Sequence, residues 1–327
     1  MDLMQLEMFV AMVEERSFHK AAERVLRTQP AVSIALRKLE QELGAPLFDR
    51  SNRSSYNLTD TGEILYGYAK RMLNLRDDAK LALEELHSVR SGRVRIGANE
   101  STTLYVLPKL IVAFRERYPK VKIEVYRHVS ARLPIELHER NLDFAILSFP
   151  PEDRELEAFP IMSDELVLIA SPDHRLAARA RVSIRELGGE SFVAHNVRSP
   201  SREKVIEAFR RFQTPLNIGI EIATIETIKR FVAMKLGLAF VPLMCVQEEA
   251  ARGELVVIPV DGFRHERQLW VVRRRTDAHS HAADAFMTVI NSLSAEMLKA
   301  GSTQRGKGTR ETERQASDET SSTELLN

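Results

Sequence analysis

The sequence predicts an α/β protein in two parts: a helical N-terminal head continued by one long helix, and a two-lobed body in which strands and helices alternate. Three observations predict it. Residues 1–90 carry helical periodicity, interrupted once by a polar stretch between Ala45 and Leu58 that is rich in Ser, Asn and Arg. After Ser91-Gly92, short β-branched runs alternate with helical patterns through two successive sets, the texture of βαβ units with a largely parallel sheet covered on both faces. At 327 residues the chain also exceeds what a single core usually holds. The expected divisions are a head at 1–58, a linker helix at 59–90 and a body at 91–299. Within the body, lobe I spans about 91–161 and 267–299 and lobe II about 162–266, leaving a disordered tail at 300–327 to which no function is assigned.

In the head, Ser17 can cap a helix over 18–26 whose Ala21, Ala22 and Val25 form a compact apolar face. After a tight turn, Thr28 is suited to cap the next helix, with Pro30 in its first turn, where a missing N–H costs nothing. Val32, Leu36, Leu39 and Leu43 mark its buried stripe. Thr28, Gln29, Pro30, Ser33, Arg37 and Lys38 lie off that stripe, toward the N-terminal half that a recognition helix pushes into the major groove. Phe48-Asp49-Arg50-Ser51-Asn52-Arg53 fits a β-wing that sets Arg50 and Arg53 against phosphates. Residues 1–58 hold eight basic and eight acidic side chains, so DNA binding rests on the placement of charge and not on its amount. On spacing alone, a surface helical hairpin with a solvated charge cluster remains open.

The stretch from Thr59 to about Val89 lacks Pro and gives a helix of about 45 Å. Leu65, Tyr68, Met72, Leu75, Ala79, Ala82 and Leu86 repeat as a heptad seam. Packing on the chain's own domain would explain such a stripe. A helix this long between two folded units leaves much of it exposed, however, which favours pairing with a second chain.

The body's first set comprises strands at 93–97, 122–129 and 142–147, with helices at 104–118 and from Leu133. The second has strands at 166–170, 191–194, 217–224 and 238–241, with helices at 201–212 and 225–236. A strand at 267–273 and a helix at about 279–299 return the chain to lobe I, so that two crossings form a hinge. Ser101, Thr102 and Thr103 follow the first strand at a helix start, and Ser199, Ser201 and Arg202 repeat the arrangement in lobe II. Both starts offer hydroxyls and free N–H groups to an anion or carboxylate. Ligands of doubly wound sheets favour the carboxyl ends of strands, which adds Ser148, His195, Thr224 and Glu226. An ordinary helix cap is the alternative for each hydroxyl, and the joint placement carries the reading.

Composition narrows the function classes. The net charge is +1 and the apolar fraction 44%, which indicates neither disorder nor a polybasic binder. The single cysteine, Cys245, excludes an intrachain disulfide and Cys-based zinc frameworks and fits a reducing, cytoplasmic setting; a buried small hydrophobe is its expected role. Trp270 reads as core. Signal-peptide features and apolar runs of about 20 residues are both lacking, so neither secretion nor a membrane span is expected. No metal site, cofactor or catalytic group is expected either. A nucleophile elbow, P-loop and dinucleotide fingerprint are missing, which weighs against an enzyme.

Ser17-Phe18-His19-Lys20-Ala21-Ala22-Glu23-Arg24, Thr28-Gln29-Pro30-Ala31-Val32-Ser33, Leu39-Glu40, Leu43-Gly44, Leu47-Phe48-Asp49-Arg50 and Leu58-Thr59-Asp60-Thr61-Gly62 closely resemble the LysR-type transcriptional regulators. The resemblance runs to about Lys299 through Leu107-Pro108, Phe114, Tyr118-Pro119, Leu142-Asp143-Phe144-Ala145 and Gly237-Leu238-Ala239-Phe240-Val241-Pro242. It implies a winged helix-turn-helix DNA-binding domain, a linker helix that dimerises the heads in an assembly that is commonly a tetramer, and a periplasmic-binding-protein-like effector domain with a small-molecule inducer in its interlobe cleft. The expected partners are double-stranded DNA with an imperfect palindrome, further copies of the chain, and RNA polymerase. Ligand would close the cleft and reorient the heads by a population shift. Ile34 and Ala35, where the family is often polar or basic, and a longer wing at Asn52 and Ser54-Ser55 depart from the pattern. A plain solute-binding protein of the same two-lobed fold is the rival, opposed by the added head and the missing export signal.

Overall fold

The computed structural model describes residues 1–49, 56–85, 92–197, 199–275 and 280–294. The head consists of α1 (Leu3–Glu15), α2 (Phe18–Arg24) and α3 (Gln29–Leu43), followed by α4 (Asp60–Glu85). Asp2, Ser17 and Thr28 cap the first three helices, each side chain accepting a backbone N–H three residues on, so each start is set by a local bond. The C-cap of α3 is Gly44, at φ +70, a left-handed position that glycine occupies without a Cβ clash. Phe9, Met12, Val32, Leu36 and Leu39 are buried together in the head's core. Leu43, expected in that stripe, is 39% exposed, because it sits on the last turn, beyond the neighbouring helices. Phe48 and Leu58 form an antiparallel bridge at the base of the expected wing, whose residues 50–55 lie outside the described ones.

The first turn of α4 presses on this base. A Cβ at Gly62 would stand 2.2 Å from the Leu47 carbonyl oxygen and 2.9 Å from Leu58 Cδ2. Gly62→Ala is therefore expected to cost the head about 1–3 kcal/mol by overpacking, read as a lower urea midpoint in circular dichroism. An unchanged midpoint would mean that α4 and the wing base stand further apart.

Lobe I is built from β1 (Gly92–Ala98), α5 (Glu100–Tyr105), α6 (Leu107–Arg117), β2 (Val121–Arg127), α7 (Leu133–His138) and β3 (Phe144–Leu147). The single helix expected over 104–118 is two helices that meet at Val106. Pro108 is the reason: it lacks the N–H that a continuous helix would bond to Leu104, and its ring crowds that carbonyl. The chain crosses on β4 (Leu156–Ala170) to lobe II, which contains β5 (Val182–Ser183), β6 (Ser191–His195), α8 (Pro200–Arg211), β7 (Asn217–Ile222), α9 (Ile225–Ala233), β8 (Ala239–Pro242), α10 (Gln247–Ala251), β9 (Val256–Ile258) and β10 (Val260–Asp261). It returns on β11 (His265–Arg274), and a helix over 281–294, α11, follows. Phe286 and Ile290 of α11 are buried in the lobe I core beside Phe114 and Phe144.

The main sheet has the order β2-β1-β3-β11-β4-β8, with β9 also paired to β4. It is parallel across β2-β1-β3 and antiparallel at β3-β11, β11-β4, β4-β8 and β4-β9, which corrects the largely parallel sheet expected. The outbound and return strands of a two-crossing chain must run in opposite directions when they lie side by side. β4 and β11 pair in register from Leu166 opposite His265 to Leu156 opposite Arg274, with one irregularity at Leu269/Trp270. Trp270 is partly buried against Leu147, Leu156 and Val272.

Candidate functional site

On α3 the buried stripe turns inward and leaves Thr28, Gln29, Pro30, Arg37 and Lys38 exposed, with Ser33 half-buried beside them. Arg37 and Lys38 form no ion pair among the described residues, so their charge is available to an outside anion. Ile34, on the same outer side, is 66% exposed. The Thr28 hydroxyl accepts the Ala31 N–H at 3.4 Å and is thereby engaged as a cap. Arg50 and Arg53 lie outside the described residues. The Asp49 N–H donates to the Asn57 carbonyl at 2.9 Å, next to the Phe48–Leu58 bridge.

The heptad residues divide. Leu65 packs on the head's core with Tyr66, Ala69 and Leu73, whereas Tyr68, Met72, Leu75 and Ala79 are exposed. The outward stripe also takes in Ile64 and Leu83, both exposed and both missed by the heptad phase. Leu86 lies outside the described residues, as does the side chain of Ala82. The correction at Leu65 has a simple cause: the first turns of α4 belong to the head, so the inward face there is set by α1. The polar edge of α4 meets lobe I of the same chain. Asn74 Nδ2 donates to the Glu139 carbonyl at 2.7 Å and to Asn141 Oδ1 at 2.9 Å. Arg95 Nη2 bridges Asp78 and Asp143, each at 2.7 Å. Burial raises the Asp78 carboxyl above its ordinary value, with the Arg95 charge acting against that rise. α4 thus docks by its polar edge and keeps its apolar stripe open.

Between the lobes lies a cavity of about 690 Å³. Ser101, Ser148, His195, Ser199, Ser201 and Arg202 are brought together in its wall. Thr102, Thr103, Thr224 and Glu226, also expected there, do not line it. Thr102 is fully buried inside α5, and the Thr103 hydroxyl donates back to the Asn99 carbonyl at 2.8 Å. Thr224 caps α9, accepting the Thr227 N–H at 3.2 Å. Glu226 accepts the Tyr105 hydroxyl and pairs with Lys229 at 2.9 Å, which makes it part of a tie between lobes. In that tie Lys229 Nζ, nearly buried, donates to Tyr105 Oη and Glu249, each at 2.6 Å, and to the Cys245 carbonyl at 2.7 Å. Burial lowers the ammonium's pKa, but the bonds to Glu249, Tyr105 and Glu226 outweigh it and leave the pKa raised. Burial pushes the Cys245 thiol up as well, so a reactive thiolate is disfavoured there.

The helix starts are less open than expected. Asn99 caps α5 by accepting the Thr102 N–H at 3.0 Å, and the Ser101 hydroxyl donates to the same Oδ1 at 3.1 Å. Ser199 caps α8, accepting the Arg202 N–H at 3.2 Å. The Arg202 guanidinium donates to the His195 carbonyl and to Glu221. Polar wall residues that the sequence reading missed are Asn99, Glu100, Arg127, His128, Ser130 and Arg267. Arg127 ends β2, at the carboxyl end of a parallel strand, and the rule that selected Ser148 and His195 could have found it. Among the described residues no group of three or more His, Cys, Asp or Glu side chains could hold a metal ion, and no helix is long and apolar enough to cross a membrane.

Residues 3–63 match the model of the bacterial regulatory helix-turn-helix protein, lysR family, and residues 87–294 match that of the LysR substrate binding domain. A probable RuBisCO transcriptional regulator of Cyanidioschyzon merolae is 33% identical over 288 residues, covering 86% of this chain and 95% of that relative. The RuBisCO operon transcriptional regulator of Allochromatium vinosum is 32% identical over 295 residues, covering 90% of this chain and 97% of its own. Among solved structures, the regulatory domain of CcmR from Synechocystis PCC6803 in complex with 2-PG aligns with a TM-score of 0.58 at 25% identity, covering 63% of this chain and 99% of that one.

Proposed function

The chain belongs to the LysR family of DNA-binding, effector-modulated transcriptional regulators, and from that premise we propose which residues do the work. Gln29, Ser33 and Arg37 on the open face of α3 read base edges in the major groove, Thr28 and Pro30 set the helix start, and Lys38 adds charge on that face. Ile34 gives the face an apolar contact suited to a thymine methyl. Arg50 and Arg53 of the wing hold phosphates. A small anionic effector enters the interlobe cavity, where Ser101, Ser148, His195, Ser199, Ser201 and Arg202 receive it. The complex of CcmR with 2-PG supports an effector in this kind of domain. The stripe Tyr68, Met72, Leu75 and Ala79 pairs two copies, and a two-fold assembly suits an imperfect palindrome. The cytoplasm, where the DNA lies, is the proposed place of action.

The observation that carries this reading is an exposed, unpaired Arg37 on the polar face of a capped second helix. Its test is selection of binding sites from random DNA by the full chain and by Arg37→Ala. Loss of the guanidinium should relax preference at one or two positions per half-site, by about 1–3 kcal/mol against the best base. Equal weakening on every sequence would make Arg37 a phosphate contact and remove it from base reading.

A further inference from the structure

The interlobe cavity does not stop at its polar mouth. Leu166, Phe192 and Val205 belong to the buried core of lobe II, and Leu216, Ile218 and Phe240 pack against that core. The same six side chains line the cavity. The space therefore continues from the cleft into the hydrophobic interior, between α8 and the strands β6, β7 and β8. An opening walled by such side chains offers water no partners, and it is filled well only by an apolar group. Its total of about 690 Å³ lies in the range of roughly 300–1,000 Å³ that encloses drug-sized ligands, far more than a two-carbon acid needs.

The mouth has the opposite character. Arg127 and Arg202 belong to the polar part of the lining, with nearly buried Arg267 and a single carboxylate, Glu100. Arg267 is neutralised by Asp164 at 2.7 Å, and Arg202 is shared with Glu221. Arg127 is exposed and has no ion pair among the described residues. A ligand that satisfies both ends must carry an anion at one end and a hydrocarbon body at the other.

We infer that the effector is an amphipathic organic acid, whose anionic head lies at Arg127 and Arg202 and whose apolar body enters the lobe II interior beside Phe192, Leu216 and Phe240. This rests on the reading of the cleft as the effector site and adds the ligand's class to it. A small, wholly polar acid would occupy the mouth and leave the inner space empty.

The test is calorimetric titration of the full-length protein with butyrate, hexanoate and octanoate, alongside the alcohols of equal chain length. Each added methylene should tighten binding about fourfold until the inner space is full, and each alcohol should bind at least about tenfold more weakly than its acid. Leu216→Trp, which fills the space, should flatten the dependence on chain length. Should that variant fold poorly by circular dichroism, Leu216→Ala provides the second arm, because the enlarged space should extend the gain in affinity to longer acids. Absence of binding across the series, a flat series, or the same dependence in Leu216→Trp would overturn the inference. Operator binding measured with the same acids separates the two claims. Acids that bind with the expected dependence and leave operator binding unaltered would retain the ligand class and remove the regulatory reading. A flat series combined with a response to 2-PG would do the reverse.

Discussion

Leu75→Glu in α4 should separate a dimer of this chain into monomers without unfolding it. Leu75 is 50% exposed in the single chain and continues a stripe with Ile64, Tyr68, Met72 and Leu83 along a 26-residue helix, about 39 Å long. With half of its surface left to bury, Leu75 gains about 0.8–1.5 kcal/mol on burial, and a two-fold interface buries it twice. The substitution also brings two carboxylates together in an apolar seam, where neither finds a partner. The dimer is expected to lose about 3–6 kcal/mol, a rise of roughly a hundred- to ten-thousandfold in its dissociation constant. Sedimentation equilibrium measures this directly, and far-UV circular dichroism should stay the same. Affinity for a palindrome should fall toward that for one half-site. A dissociation constant within a factor of three of the original would exclude the stripe as the interface.

Asp164→Leu should have the largest effect on the stability of the body. Asp164 and Arg267 face each other in register on β4 and β11, and their side chains are 2% and 8% exposed. The carboxylate also accepts Arg267 Nε at 2.8 Å and the Met244 N–H at 3.0 Å, so it joins both crossing strands to the turn after β8. Its removal leaves a guanidinium without a counter-charge in a medium of low dielectric, at a cost of about 3–5 kcal/mol. Adding Arg267→Met should restore most of the loss, since an apolar pair of similar volume is often as stable as the ion pair. Urea unfolding of the single and double variants measures both effects. A loss below about 1 kcal/mol for the single variant would mean that water from the cavity solvates Arg267.

The head was legible because its information is local. Ser17, Thr28 and Gly44 mark helix ends through bonds spanning only a few residues, and the spacing of Val32, Leu36 and Leu39 defines the inward face of α3. Leu43 and Leu65 failed because a stripe has no label for where its partner surface ends. Pro108 was in plain view and signalled the break between α5 and α6. The antiparallel contact of β4 with β11 was out of reach, since the two segments are far apart in sequence and each alone reads as an apolar strand. Within the site, Ser101, Ser148, His195, Ser199, Ser201 and Arg202 followed from helix starts and strand ends. Phe192 and Phe240 could not follow, because an apolar residue in a lobe reads as core whether or not an empty space adjoins it. Thr102 and Glu226 show the complementary error: a polar residue in the right segment pointed elsewhere.

The β4-β11 pair limits how the two lobes can move. Sliding one lobe along the other would break the ladder from Leu166/His265 to Leu156/Arg274, and pulling them apart would stretch two backbones already near full extension. Winding the ribbon about its own axis keeps every rung, because strand pairs tolerate a wide range of twist. Any closure of the lobes would therefore act chiefly as a torque, and since α4 is bonded to lobe I through Arg95 and Asn74, a turning moment in the body would reach the head through α4 as an angular displacement.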